Sequence, residues 1–171
     1  PKSYITSKKS DNYVLCTIHR AENTDNLNNL IEIISSLICI NESIPVILPL
    51  HPRTRKIIDK TNISTQNITL IEPVGYFEML QLIRKSSLVL TDSGGLQKES
   101  YFFKKKCLIL REETEWVELL DVGHKLVGAN KNKIIQTFYE LIGTPAIETT
   151  DLYGCGYASE KIVKFLLEHQ P

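Results

Sequence analysis

Residues 88–99 read LVLTDSGGLQKE. A short run of β-formers ends at Thr91, Asp92 and Ser93 follow, and Gly94-Gly95 opens a helix-forming segment from about 95 to 103. An apolar strand turning directly into a helix is the repeating unit of a parallel sheet with crossover helices. The same pattern recurs along the chain. Residues 13–18 (YVLCTI), 45–49 (PVILP), 68–71 (ITLI) and 107–110 (CLIL) are equally short and apolar, and HKLV at 124–127 offers a sixth strand. Between the first two, Leu27, Leu30, Ile31, Ile34, Leu37 and Ile38 recur at three- and four-residue spacing, one face of a helix, with Thr24 or Asn23 as its cap. Further helices are expected at 53–60, within 76–85 (Met79, Leu80, Leu82, Ile83), as a turn near 114–120, along Ile134, Ile135, Phe138, Leu141 and Ile142, and at 159–168. Strands this apolar are buried on both faces. The expectation is an α/β domain with one doubly wound parallel sheet of about six strands.

Composition narrows the function classes. The 171 residues suit one domain, and 42% hydrophobic against 23% charged residues is a globular balance. Lysine plus arginine and aspartate plus glutamate number 20 each, so the net charge is zero. That argues against a broad grip on nucleic acid or an anionic membrane surface, and leaves room for a local cation cluster. No apolar stretch reaches the roughly 18 residues of a membrane span, and the polar start PKSYITSKKSDN is no signal peptide. Cys16, Cys39 and Cys107 lie in apolar runs and Cys155 stands apart. Without a CxxC pair, a zinc ribbon or thioredoxin-like motif is excluded, and a reducing, cytoplasmic setting is expected. The chain starts at proline without methionine, as a fragment or excised domain would.

In doubly wound sheets, ligands bind at the carboxyl ends of the strands. Four segments fall there: HRAEN, HPRTR, TDSGG and REETE. Unpaired N–H groups at a helix start attract anions, and paired glycines let a phosphate come close. Ser93, Gly94 and Gly95 suit that role, Ser93 adding a hydroxyl, while Glu99 further along could accept a ribose diol. An ordinary strand–turn–helix link is the alternative. Neither GxGxxG nor GxxxxGK[ST] is present, which disfavours a dinucleotide site and a P-loop. His19 can move a proton and Arg20 can clamp a phosphate. His51, Arg53 and Arg55 follow the second strand in the same way, giving a local cationic rim. Carboxylates and cysteines are not spaced to make a metal site of the histidines. Arg111 precedes Glu112, Glu113, Glu115 and Glu118, either a solvated acidic helix start or a place for Arg111 or one glutamate on the ligand. Trp116 reads as a packing residue; His124, His169 and Lys104–Lys106 read as surface.

Six ordered motifs carry a resemblance: TIHRAEN (17–23), PLHPRTR (49–55), EPVGYFEML (72–80), LTDSGGLQKESYFF (90–103), LREETEWVELL (110–120) and YGCGYASEKIV (153–163). Together they resemble the C-terminal half of the non-hydrolysing UDP-N-acetylglucosamine 2-epimerases. Those enzymes have two Rossmann-like domains in the glycosyltransferase-B arrangement, with the active site in the cleft between them. The resemblance implies that residues 1–171 form a C-terminal, UDP-binding Rossmann-like domain whose N-terminal partner domain, with the acidic residues acting on C2, has no counterpart here. It implies removal of the C2 proton with loss of UDP to give a 2-acetamidoglucal, then re-addition with C2 inverted. No redox cofactor is needed, and the full enzyme would be a homodimer. By motif match, His19 is the catalytic histidine of this half, Arg20 a diphosphate contact, and His51 faces the nucleotide. Ser93, Gly94 and Gly95 hold phosphate, Glu99 holds the ribose hydroxyls, and Met79 or Phe77 packs on uracil. Arg111, Glu22 and Glu115 lie near the cleft.

Two departures shape these expectations. Trp116-Val117 replaces the Arg-Pro of many relatives, a form similar to a branch that includes epimerases of UDP-2,3-diacetamido-glucuronate. Tyr153-Gly154-Cys155-Gly156 replaces the usual Tyr-Gly-Asp-Gly. The isolated chain is expected to bind UDP or a UDP-sugar and to be catalytically deficient. The alternatives are a non-catalytic UDP-binding remnant or a split-enzyme subunit; a retaining glycosyltransferase domain fits the His19-Arg20 and Glu99 combination less well.

Overall fold

Val14 of strand β1 (Val14–Thr17) pairs in parallel with Val46 of β2 (Val46–Pro49) on one side and with Leu88 of β4 (Leu88–Thr91) on the other. The computed structural model describes residues 12–148 and 151–169; the polar stretch 1–11, discussed above as no signal peptide, lies outside them. With β3 (Thr69–Ile71), β5 (Cys107–Ile109) and β6 (Lys125–Leu126), the strands form one parallel six-stranded sheet in the order β3-β2-β1-β4-β5-β6. The chain winds outward from β1, crosses back to β4, and winds outward the other way. The doubly wound Rossmann-like architecture is therefore as expected, and β1 and β4 are the pair where the winding reverses. Ligands bind at such a switch point, outside the carboxyl ends of the strands.

Alternation along each strand builds two cores. Val14 and Cys16 of β1, Leu88 and Leu90 of β4, and Leu108 of β5 face one side. There they meet Leu30, Ile34 and Leu37 of α2 (Leu27–Asn41), Ile58 of α3 (Pro52–Thr61), and Ile134 and Phe138 of α7 (Lys131–Leu141). Leu15, Val89, Cys107 and Ile109 face the other side, against Leu82 and Ile83 of α4 (Tyr76–Lys85). Leu37 and Phe138 are fully buried, so truncating either to alanine costs about 3–5 kcal/mol. Burial also pushes the Cys16 thiol pKa well up, and Cys16 and Cys107 act as small hydrophobes. Cys39 is only half-buried and Cys155 is exposed.

Several local expectations change. Asn23 and Thr24 do not cap α2; they belong to their own short helix α1 (Ala21–Thr24), and Asn26 caps α2 by accepting the N–H groups of Asn28 and Asn29. A short α1 and a separate α2 fit because Asn26 offers the side-chain oxygen that the N-terminus of α2 needs. The turn near 114–120 shrinks to α6 (Glu118–Asp121), leaving residues 111–117 as a loop. His124 is not on the surface: it is fully buried, and Nε2 hydrogen-bonds the Gln97 carbonyl at 2.9 Å. The last helix, α8 (Ala158–Glu168), buries none of its residues and leaves Ile162, Val163, Phe165, Leu166 and Leu167 exposed. Among the described residues no helix is long and apolar enough to cross a membrane.

Candidate functional site

The carboxyl ends of β1 and β4 deliver His19 and Asp92 to adjacent positions, with α5 (Gly94–Phe102) starting beside them. Asp92 is fully buried. Its carboxylate accepts the backbone N–H of His19 at 3.0 Å, that of Arg20 at 2.9 Å and the Asn23 carboxamide at 3.2 Å. His19 Nδ1 lies 3.2 Å from Asp92 Oδ1. A buried carboxylate is tolerated only when so fully hydrogen-bonded. Sequence reasoning missed Asp92. The signal was there: a charged residue between a buried strand and the serine cap of a helix has to be partnered from another element. Asn23 extends the network by donating to the Leu110 carbonyl at 2.8 Å, which ties the end of β5 to α1.

The His19 side chain is 38% exposed, and its ring lies 5.6 Å from that of His51. His51 caps α3, its Nδ1 accepting the Arg53 N–H at 3.2 Å. Ser93 caps α5 by accepting the Leu96 N–H, and the Thr91 hydroxyl accepts the Ser93 N–H at 2.9 Å. Gly94 leaves open the space above this helix start. A Cβ there would meet Trp116 Nε1 at 3.4 Å, Glu115 Oε2 at 3.5 Å and Arg20 Nη2 at 3.8 Å. Gly95 is exposed.

Arg111 is nearly buried and is held by Glu22 at 3.1 Å and by Glu115 at 2.8 Å. Burial alone would lower its pKa, but the two glutamates more than reverse this, so it stays charged. Glu115 also reaches Arg20 at 3.5 Å. The bond to its own backbone N–H and the two arginines hold its carboxyl below the usual carboxylate range. Glu115 thus bridges the two arginines. A cleft of about 290 Å³ opens beside Arg111, between Glu22, Asn23, Glu112 and Gly128.

The free cationic rim is corrected by these pairings. Arg53 forms an ion pair with Asp25 at 2.6 Å and donates to Thr24 Oγ1, and Arg55 pairs with Glu72 at 2.8 Å. Arg53 and Arg55 are thus drawn to carboxylates away from the switch point, while His19, Arg20, His51 and Arg111 gather near it, the two arginines sharing Glu115. The acidic run also divides: Glu112 and Glu113 are solvated, while Glu115 faces the arginines. Glu99 lies on α5 behind Gly94 and Gly95, and is hydrogen-bonded to Tyr76 at the start of α4. Partial burial pushes its pKa up, and the Tyr76 bond opposes this. Beside it Phe77 is 76% exposed, whereas Met79 is half-buried and packs into the second core. Trp116 packs edge-on to Tyr153, and Lys98 lies 3.5 Å over its ring. Among the described residues no three histidine, cysteine or acidic side chains come together to hold a metal ion.

The arrangement offers a proton carrier (His19), two cations and an open helix N-terminus around one point, a combination suited to a phosphorylated ligand. The chain as a whole is similar to known proteins. A family model described as UDP-N-acetylglucosamine 2-epimerase matches residues 1–167. A UDP-2,3-diacetamido-2,3-dideoxy-D-glucuronate 2-epimerase of Pseudomonas aeruginosa is 45% identical, over 96% of this chain and 47% of that protein. A UDP-N-acetylglucosamine 2-epimerase homolog of Methanococcus maripaludis is 48% identical, over 95% of this chain and 45% of that protein. The crystal structure of Methanocaldococcus jannaschii UDP-GlcNAc 2-epimerase in complex with UDP-GlcNAc and UDP superimposes with a TM-score of 0.84 at 38% identity. It covers 93% of this chain and 46% of that one. The chain spans about half the length of the relatives it matches.

Proposed function

The chain belongs to the UDP-N-acetylglucosamine 2-epimerase family, and we propose that it is the UDP-binding half of such an epimerase. The observation that carries this reading is the convergence at the start of α5: Arg20 reaches Gly94, Gly95 beside it is exposed, and Glu115 links Arg20 to Arg111 where a diphosphate would sit. The N–H groups of Gly94 and Gly95 and the Arg20 guanidinium hold the diphosphate and stabilise its negative charge as it leaves C1. Glu99 accepts the ribose hydroxyls, and the exposed ring of Phe77 covers the uracil in preference to Met79, which is committed to the core.

His19 is the proton-transferring residue. With Nδ1 directed at Asp92, Nε2 is the ring atom turned to the ligand, and the buried carboxylate fixes the orientation of the ring. Loss of the C2 proton and of UDP gives a 2-acetamidoglucal; re-addition of UDP and of a proton to the opposite face inverts C2. The base that acts on C2 belongs to the part of the relatives that this chain does not match.

Titration calorimetry with UDP tests the reading on this chain, micromolar binding without turnover of UDP-N-acetylglucosamine being the expected result. Absence of UDP binding, or full epimerisation by these 171 residues, overturns it. A second sugar is favoured by one observation. Trp116-Val117 stands in the cleft loop, and the Pseudomonas relative that acts on a diacetamido-glucuronate is 45% identical. Competition between UDP-N-acetylglucosamine and the glucuronate for binding separates the two.

A further inference from the structure

Gln97 is fully buried on α5 and makes two connections that the proposed reaction does not use. Its Oε1 accepts the Thr114 hydroxyl at 2.6 Å, and Thr114 Oγ1 accepts the Trp116 N–H at 3.2 Å. A hydroxyl has a single proton; with that proton on Gln97, a lone pair is left for Trp116, so the chain runs in one direction. The Gln97 carbonyl can only accept, so the ring nitrogen facing it, His124 Nε2, carries the proton at 2.9 Å. One residue of α5 therefore grips the loop that carries Arg111, Glu115 and Trp116, and also the residue that leads into β6.

We propose that Gln97 is a positioning residue that fixes the Arg111–Trp116 loop against α5, so that Arg20, Arg111, Glu115 and Trp116 meet above Gly94. Besides this bond, the loop is held by the ion pairs of Arg111 and Glu115 and by Trp116 packed against Tyr153. It has no regular secondary structure between β5 and α6, and Glu112 and Glu113 are exposed. The Gln97–Thr114 bond is short, buried at one end and on the same helix as the glycines that would hold phosphate. Its loss would let the loop move away from the helix start without disturbing the sheet. The proposal rests on the UDP-binding reading for one of its two readouts only.

The chain has a single tryptophan, Trp116, so emission excited at wavelengths that tyrosine does not absorb reports on this loop alone. Thr114→Val and Gln97→Met remove the bond from either end, and Thr114→Ser keeps the hydroxyl. Both disruptive variants should shift the Trp116 emission to the red and weaken UDP binding about tenfold, the loss of one buried hydrogen bond. The double variant should be no weaker than Thr114→Val alone, because Thr114→Val already removes the bond to Gln97, along with the acceptor of the Trp116 N–H. Thr114→Ser should match the unsubstituted chain in both readouts. A folded Thr114→Val protein with unchanged emission and unchanged UDP affinity overturns the proposal. If Gln97→Met does not fold, the Val and Ser variants at half-buried Thr114 decide it. If the unsubstituted chain does not bind UDP, the nucleotide reading falls, and the emission of Gln97→Met, which keeps the Thr114–Trp116 bond, still decides the role of Gln97.

Discussion

Asp92 and His19 meet across the β1–β4 seam, with the buried carboxylate 3.2 Å from the ring nitrogen Nδ1 and also bonded to the His19 backbone N–H. The pair orients the His19 ring and holds the end of β1 in place with the same two oxygens.

Replacing Asp92 by alanine leaves the N–H groups of His19 and Arg20 and the Asn23 carboxamide without their acceptor. Each lost charged bond in a buried site is costly, and we expect a stability loss of about 3 kcal/mol. Urea denaturation should show it as a lower midpoint with an unchanged slope, and Asp92→Asn should lose less because it keeps one acceptor oxygen.

Arg20→Ala and Glu99→Ala should each weaken UDP binding by roughly 1.5–3 kcal/mol, the range for a hydrogen bond to a charged group. Both side chains are partly exposed, so thermal unfolding should move little. Calorimetry that finds unchanged affinity in both variants would refute the placement of the nucleotide.

Gly94→Ala separates folding from binding. The added Cβ meets its nearest neighbour at 3.4 Å, an ordinary contact, and alanine favours a helix over glycine by up to about 1 kcal/mol. Stability should hold or rise while UDP affinity falls, because the methyl group occupies the space above the helix start. An affinity equal to that of the unsubstituted chain would remove Gly94 from the site.

Burial holds the His124 pKa below its ordinary 6.5. The folded imidazole thus stays neutral at a pH where the unfolded one has taken a proton. The unfolded state then binds more protons, so stability is fully present above about pH 6.5 and declines as the pH falls below it, by at most about 1.4 kcal/mol per pH unit. In His124→Gln this contribution should be missing. Urea midpoints taken across that range check it, and an equal acid slope in both proteins would exclude His124 as the source.

Much of the fold was legible because its signals are local. Leu15 against Val14 and Cys16, or Val89 against Leu88 and Leu90, alternate within one strand, and the α2 stripe repeats within one helix. Ser93-Gly94-Gly95 announced an open helix start for the same reason: caps and turns are decided by neighbouring residues. His124 misled because a histidine flanked by glycine and lysine looks exposed, and its burial comes from a carbonyl on α5, 27 residues earlier.

By itself the sequence determined the layers, the strand ends and the residue types gathered at them, since periodicity states which side of each element must leave water. Tertiary structure alone decided which charges remain available. Arg53 and Arg55 are drawn to Asp25 and Glu72, Glu115 is shared between Arg20 and Arg111, and Asp92 reaches back 72 and 73 residues to the end of β1. Such pairings depend on distances that arise only when the sheet order brings β1 beside β4 and β5 beside β4. No spacing along the chain encodes them, and they turn a row of cations into one bridged site beside a helix N-terminus.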